Sequence, residues 1–77
     1  MTNTNLLKSK MIANGDEHFV DCLSRLLGSS RVTASKKLHN KTEFKQSDIS
    51  IIAAHYGLSA EEIKEIFVQE SGGNDSN

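Results

Sequence analysis

The segment Leu27-Gly28-Ser29-Ser30-Arg31-Val32-Thr33-Ala34-Ser35-Lys36-Lys37-Leu38-His39-Asn40-Lys41 decides the fold of this chain. It begins with the apolar end of one helix and continues through a glycine stop and a serine cap. It then forms a short helix rich in Arg, Lys, Ser and Thr. Two helices joined by such a turn are typical of a helix-turn-helix, whose second helix enters the major groove of DNA. The segment therefore predicts a groove-binding helix at about residues 30–39.

The composition indicates one small helical domain. The chain has 77 residues, no proline, few aromatic side chains and a single cysteine, Cys22. That length allows one modest core, and the absence of proline favours a helical bundle. One cysteine excludes a disulfide framework, which fits a reducing cytoplasm. We expect no membrane span, because no apolar run approaches roughly 20 residues. We expect no signal peptide, because the N-terminal segment of residues 1–5 lacks a charged n-region and an apolar h-region.

Charge is distributed unevenly, although the net charge is −1. Residues 25–45 contain six Lys or Arg side chains and one carboxylate, Glu43. Residues 48–77 contain six carboxylates and one cation, Lys64. A basic middle and an acidic end predict one face that meets DNA and one that is turned away from it. The alternative is a set of solvated surface charges that happen to cluster.

Apolar spacing and capping signals predict an all-α fold of five helices. The first covers Asn5–Asn14, and the second runs from an Asp16 cap to Leu27. The third begins after a Ser30 cap and reaches about His39. The buried stripe of the second helix consists of Phe19, Leu23, Leu26 and Leu27.

The second half of the chain predicts a loop and two further helices. Phe44, in the loop of residues 40–46, is expected to fill the core. Ser47 caps the fourth helix, and Ser59 and Glu62 have the spacing of a capping box at the start of the fifth. The apolar faces consist of Ile49, Ile52, Ala53 and Tyr56 in the fourth helix and Ile63, Ile66 and Phe67 in the fifth. Residues 1–70 are thus expected to form a single domain, and residues 71–77 a disordered polar tail.

A family resemblance supports this interpretation. The motif Leu27-Gly28-x-Ser30-Arg31-x-Thr33-x-Ser35-x-Lys37-Leu38, followed by Lys41-x-Glu43-Phe44-x-Gln46-Ser47-Asp48-Ile49 and Leu58-Ser59-x-Glu61-Glu62-Ile63, resembles the lambda-repressor and Cro class of phage and bacterial regulators, also called the Xre family. The resemblance implies a compact five-helix domain with helices 2 and 3 as the helix-turn-helix. It also implies a sequence-specific transcriptional regulator that binds double-stranded DNA as a homodimer.

Four positions depart from the family pattern. Val20 stands where a Gln usually opens the first helix of the motif, and Ser24 replaces the usual Ala at the crossing of the two helices. Ala34 stands where a larger aliphatic residue is common. Asn40 replaces the usual Gly after helix 3, which asparagine tolerates because it accepts the left-handed region.

The motif geometry assigns candidate DNA contacts. The start of helix 3 lies nearest the base edges, where Arg31 can donate a bidentate pair to guanine. Val32 fits a thymine methyl group and fits an ordinary core position equally well. Candidate base contacts are Arg31, Val32, Thr33, Ser35 and Lys36. Candidate phosphate contacts, which set register without carrying sequence information, are Ser29, Ser30, Lys37, His39, Lys41 and Lys45.

No pattern indicates catalysis, a cofactor or a metal site. The three histidines have no metal-ligand spacing, and no serine lies beside a base and an orienting acid. A single recognition helix contacts too few base pairs for useful specificity, so we expect a dimer, with Ile66, Phe67 and Val68 as its candidate surface. The alternative function is a protein-interaction module, such as an antirepressor or an accessory subunit, whose partner is another regulatory protein.

Overall fold

A computed structural model describes residues 1–68, and these residues form five α-helices and no β-strand. The helices are α1 (Thr4–Ala13), α2 (Phe19–Leu27), α3 (Arg31–Leu38), α4 (Gln46–Tyr56) and α5 (Ala60–Phe67). The prediction of an all-α fold with five helices is confirmed. The predicted domain end at residue 70 and the predicted tail of residues 71–77 lie outside the described residues.

The core draws on every helix and on the loop between α3 and α4. Phe44 is 8% exposed, which confirms that it fills the core from that loop, and its ring meets Phe67 edge-on with centroids 5.3 Å apart. The other buried apolar side chains are Leu7, Met11, Leu23, Ala34, Leu38, Ile52 and Ile66. The remaining members of the predicted α2 stripe pack against this cluster.

Helix α2 begins later than the sequence predicts. Its N-cap is His18, whose side chain makes no capping hydrogen bond. Asp16, the predicted cap, instead accepts a hydrogen bond of 2.7 Å from the Tyr56 hydroxyl at the end of α4. The Asp16 carboxylate, which local capping rules assign to the start of α2, is therefore engaged in a tertiary hydrogen bond.

Helix α4 begins earlier than the sequence predicts. Lys45 occupies the N-cap position, and the predicted cap, Ser47, lies inside the helix. Asp48 accepts a hydrogen bond of 2.9 Å from the backbone N–H of Lys45. A carboxylate in the first turn also interacts favourably with the helix dipole, so Asp48 stabilises this start in place of a serine cap.

Helix α5 has the predicted capping box. Ser59 Oγ accepts from the backbone N–H of Glu62 at 3.1 Å, and Glu62 Oε1 accepts from the backbone N–H of Ser59 at 2.8 Å. Glu62 also pairs with Lys10, which joins α5 to α1. These contacts fix α5 against α1, so that Ile66 is fully buried in the core.

None of the helices in residues 1–68 has the length and apolar character needed to cross a membrane.

Candidate nucleic-acid interface

The turn between α2 and α3 consists of three residues, Gly28, Ser29 and Ser30. Gly28 has φ +67°, a left-handed conformation that costs glycine little because it has no Cβ. The next backbone N–H, that of Ser29, donates to the Ser24 carbonyl at 2.9 Å. Ser24 itself is buried, so its small side chain fits at the crossing of the two helices. The turn therefore brings α3 back against α2, the helix with which it packs most extensively.

A serine cap fixes the start of α3. Ser30 Oγ accepts from the backbone N–H of Thr33 at 3.1 Å, which satisfies one of the unpaired donors at the helix start. The same hydroxyl contacts Thr33 Oγ1 at 3.0 Å. The predicted Ser30 cap is confirmed, and these bonds engage two of the candidate DNA contacts in local structure.

Asn40 closes the other end of α3. Its φ of +59° lies in the left-handed region, as expected for an asparagine in place of a glycine. The backbone N–H of Lys41 donates to the Lys36 carbonyl at 2.8 Å, and that of Asn40 donates to the Lys37 carbonyl at 3.2 Å. This pair of bonds is the Schellman arrangement of a helix end. It turns the chain sharply, so that Lys41 lies beside the outer face of α3.

The two faces of α3 differ in composition. Ala34, Lys37 and Leu38 are buried, whereas Arg31, Val32 and Lys36 are exposed. Val32 is 65% exposed, which excludes the core interpretation of this residue. An open depression of about 920 Å³ runs along the exposed face, and its lining consists of Val20, Arg31, Val32, Ser35, Lys36, His39 and Lys41.

Six of the candidate DNA contacts line this depression. Four of the five candidate base contacts line it, and His39 and Lys41 join them from the candidate phosphate contacts. Its lining among residues 1–68 includes cations but no carboxylate. Such a surface attracts a polyanion, and the mixture of Arg, Lys, Ser and Val side chains suits the polar and methyl groups of base edges.

Other candidates lie elsewhere. Thr33 is exposed but lies outside this lining, hydrogen-bonded to Ser30. Ser29 is half-buried in the turn, and Lys45 is exposed beyond it at the start of α4. His39 Nδ1 donates to the Ser35 carbonyl at 2.8 Å, which holds the imidazole along the end of α3.

Lys37 requires a correction, because a phosphate contact was predicted for it. Its side chain is buried and forms an ion pair with Asp48, and its ammonium lies 6.0 Å from the centre of the Phe44 ring. Burial raises the pKa of Asp48, but the hydrogen bonds from Lys37 and from the Lys45 backbone outweigh it and hold that pKa below its usual value. Lys37 thus joins α3 to α4 and is not available on the outer surface.

The dimer candidates are also partly corrected. Ile66 is fully buried within the chain, and Phe67 is half-buried against Phe44, so neither presents its side chain freely to a second copy. Val68 is 46% exposed and remains the one candidate of the three with a largely open side chain. Ile66 and Phe67 face inward because α5 packs its apolar face on the core.

Sequence reasoning missed Asp21. Its Oδ1 lies 2.8 Å from Arg31 Nε, in an ion pair that links the first turn of α2 to the first residue of α3. Asp21, His18, Phe19, Val20 and Arg31 line a second, smaller depression of about 250 Å³ beside the first. The signal was present in the sequence, because a short turn places the start of α3 near α2. Opposite charges at Asp21 and Arg31, on two helices joined by such a turn, indicate an ion pair.

A third depression, of about 320 Å³, is lined by Asp16, Cys22, Arg25, Leu26, His55 and Tyr56. Burial raises the pKa of the Tyr56 hydroxyl above its ordinary value of 10, and its hydrogen bond to Asp16 raises it further. The same bond lowers the pKa of Asp16. Within residues 1–68, no group of three or more His, Cys, Asp or Glu side chains could hold a metal ion.

Comparisons with protein-family models, with curated proteins and with solved structures found no match to this chain. Any assignment of function therefore depends on the residues and on their geometry.

Proposed function

We propose that this chain is a sequence-specific DNA-binding regulator of transcription, in which α2 and α3 form a helix-turn-helix of the lambda-repressor and Cro type. In this proposal α3 enters the major groove of an operator. The regulator then represses or adjusts a promoter by occupying that site.

One observation carries the proposal. The exposed face of α3 presents Arg31, Val32 and Lys36 together, while its opposite face is packed into the core. A helix that protein buries on both sides could not enter a groove. This helix leaves one side open, and Arg and Lys side chains on that side match guanine O6 and N7 and the phosphates that flank the groove.

A dimer is part of the proposal. A single recognition helix contacts few base pairs, and regulators of this type gain specificity by binding two half-sites about 34 Å apart. Val68, at the end of α5, is the candidate with an open apolar side chain. Two-fold symmetry in the bound DNA is the expected sign of such a dimer.

The test is selection of a random duplex pool with the purified chain at near-physiological salt. We expect an enriched motif with two-fold symmetry. The variant Arg31→Ala/Lys36→Ala should lose binding to that motif by a factor of a hundred or more, since it lacks both main cations of the α3 surface.

The matched control is Arg25→Ala/Lys64→Ala, which removes one Arg and one Lys that do not line the α3 depression. It should retain binding within a few-fold, because surface cations outside the interface contribute little at this salt concentration. If no sequence is enriched, or if both double variants lose binding equally, the proposal is wrong. The protein-interaction alternative then becomes the one to test, by the same two variants against a captured partner.

A further inference from the structure

We propose that Asp21 determines DNA specificity by holding Arg31 in the orientation that guanine requires and by disfavouring its contact with phosphate. The inference rests on the proposed function, because it concerns how the α3 surface discriminates among DNA sequences. No base or phosphate contact is assigned to Asp21 itself, so it is a positioning residue.

Asp21 binds one particular edge of the Arg31 guanidinium. Asp21 Oδ1 binds Arg31 through Nε, at 2.8 Å. A guanidinium has two edges that can donate paired hydrogen bonds, one of which includes Nε. Occupying Nε leaves the edge formed by the two terminal amino groups for an acceptor pair such as guanine O6 and N7. The ion pair therefore removes one way of binding and preserves the one that distinguishes guanine.

The ion pair lies at the surface, next to the exposed face of α3. Arg31 lines both the large depression on the face of α3 and the small one that includes Asp21. The Arg31 side chain is 74% exposed and that of Asp21 is 43% exposed, so DNA can reach both without any rearrangement of the core. A pair this exposed contributes little to folding stability, and its removal should leave the fold intact.

The negative charge of Asp21 affects contacts of Arg31 with phosphate and with bases to different extents. Non-specific complexes consist of contacts between cations and phosphates, whereas specific complexes add contacts to base edges. A carboxylate beside Arg31 repels phosphate and competes with it for the guanidinium. A base edge is uncharged, so the carboxylate opposes a guanine contact much less. Asp21 should thus weaken non-specific binding more than specific binding, which increases the ratio between them.

The experiment compares Asp21→Ala with Glu61→Ala on the selected duplex and on a scrambled duplex. Both acids lie in the first turn of a helix, so both substitutions remove the same charge and the same favourable interaction with a helix dipole. Circular dichroism and thermal unfolding establish that the variants are folded. A third variant, Asp21→Asn, loses the charge but retains an oxygen that can accept from Arg31 Nε.

We expect Asp21→Ala to bind the scrambled duplex more tightly and the selected duplex no better. The ratio of the two Kd values should fall about fivefold, part of the roughly 5- to 150-fold discrimination of a bidentate guanine contact. Glu61→Ala should change the ratio less than twofold. Asp21→Asn should give an intermediate ratio, because the oriented hydrogen bond remains.

Replacing guanine by 7-deazaguanine in the selected duplex isolates the base contact. The wild-type chain should lose affinity on this duplex, and Asp21→Ala should lose markedly less. If Asp21→Ala and Glu61→Ala change both Kd values by the same factor, the inference is wrong while the proposed function stands. If the wild-type chain binds the selected and scrambled duplexes equally, the proposed function fails and the inference fails with it.

Discussion

Lys37 and Asp48 form a buried ion pair that joins the inner face of α3 to the first turn of α4. The same Asp48 oxygen accepts the backbone N–H of Lys45, so one carboxylate both starts α4 and holds α3. The Phe44 ring lies near the Lys37 ammonium and fills the core below it. The orientation of α3 thus depends on a charge pair on its inner face, opposite the exposed face that is proposed to meet DNA.

Substitution of Lys37 by Met should destabilise the chain by about 3 kcal/mol, because it leaves the Asp48 carboxylate buried without its cation. Urea unfolding followed by circular dichroism measures the change. Lys36→Met is the matched control, since Lys36 is the exposed neighbour, and it should change stability by less than about 0.5 kcal/mol. Equal effects of the two substitutions would contradict a structural role for the ion pair.

Two substitutions at Asn40 separate its backbone and side-chain roles. Its side chain makes two hydrogen bonds to the backbone of Thr2, at 3.0 and 3.1 Å, and its φ is +59°. Both substitutions lose the side-chain hydrogen bonds, but Asn40→Gly also removes the Cβ from the left-handed region, whereas Asn40→Ala keeps a Cβ there without the local hydrogen bonds that an asparagine side chain can make. We expect Asn40→Ala to be less stable than Asn40→Gly by about 1 kcal/mol in urea unfolding. A glycine variant no more stable than the alanine variant would show that backbone strain is not important at this turn.

Local sequence signals predicted the parts of the fold that local chemistry controls. The Ser30 cap, the Ser59–Glu62 capping box and the buried Phe44 all depend on residues close in the chain or on plain hydrophobicity. Prediction from local sequence signals was wrong where a tertiary contact competes with a local one. Asp16 binds Tyr56, 40 residues away, and so does not cap α2.

The candidate site divides in the same way. Periodicity along α3 brought Arg31, Val32 and Lys36 to one open face, as the motif predicts. Periodicity alone could not show that Lys37 turns inward, because its burial depends on a carboxylate in α4. Nor could it show that Arg31 is paired, because the partner, Asp21, belongs to another helix.

The titration of Tyr56 can be observed directly, because it is the only tyrosine and the chain has no tryptophan. Absorbance of the phenolate should show a pKa above the ordinary value of 10, owing to burial and to the Asp16 hydrogen bond. Asp16→Ala should shift the titration towards 10, whereas Glu17→Gln, a change at an adjacent exposed carboxylate, should not.

The same shift contributes to the pH dependence of stability in the alkaline range. Because the folded state raises the pKa of Tyr56, its contribution to stability is complete below pH 10 and is lost as the pH rises above that value. Unfolding midpoints in urea should therefore fall more steeply above pH 10 in the wild-type chain than in Tyr56→Phe. If the unfolding midpoints of the two proteins fell in parallel with pH, ionisation of Tyr56 would make no contribution to the loss of stability.

We expect Val32 to make the affinity for the target sequence depend on a thymine methyl group. Its exposed side chain lines the depression beside Arg31, where it suits the C5-methyl of thymine. In a selected duplex, replacement of thymine by uracil should weaken wild-type binding about fourfold at one position of each half-site, from a transfer free energy near 0.8 kcal/mol per buried carbon. Val32→Ala should show a smaller loss at that position. An equal loss in both proteins would assign the methyl group to another contact.

Lys41 should contribute one phosphate contact to the salt dependence of binding. The Schellman turn after α3 places it on the rim of the depression, and its side chain is exposed. Each neutralised phosphate contributes about 0.9 to the slope of log K against log salt concentration. A dimer has two copies of Lys41, so Lys41→Ala should reduce that slope by about 1.8 on both the selected and the scrambled duplex.

Lys64→Ala is the control for that measurement, because Lys64 is exposed on α5 and does not line the depression. Its slope should match that of the wild-type chain if α5 faces away from DNA. A slope reduced equally by both substitutions would mean that the acidic half of the chain also meets the phosphates, which would contradict the one-sided interface. A slope unchanged by either would place Lys41 outside the complex and restrict the interface to α3 itself.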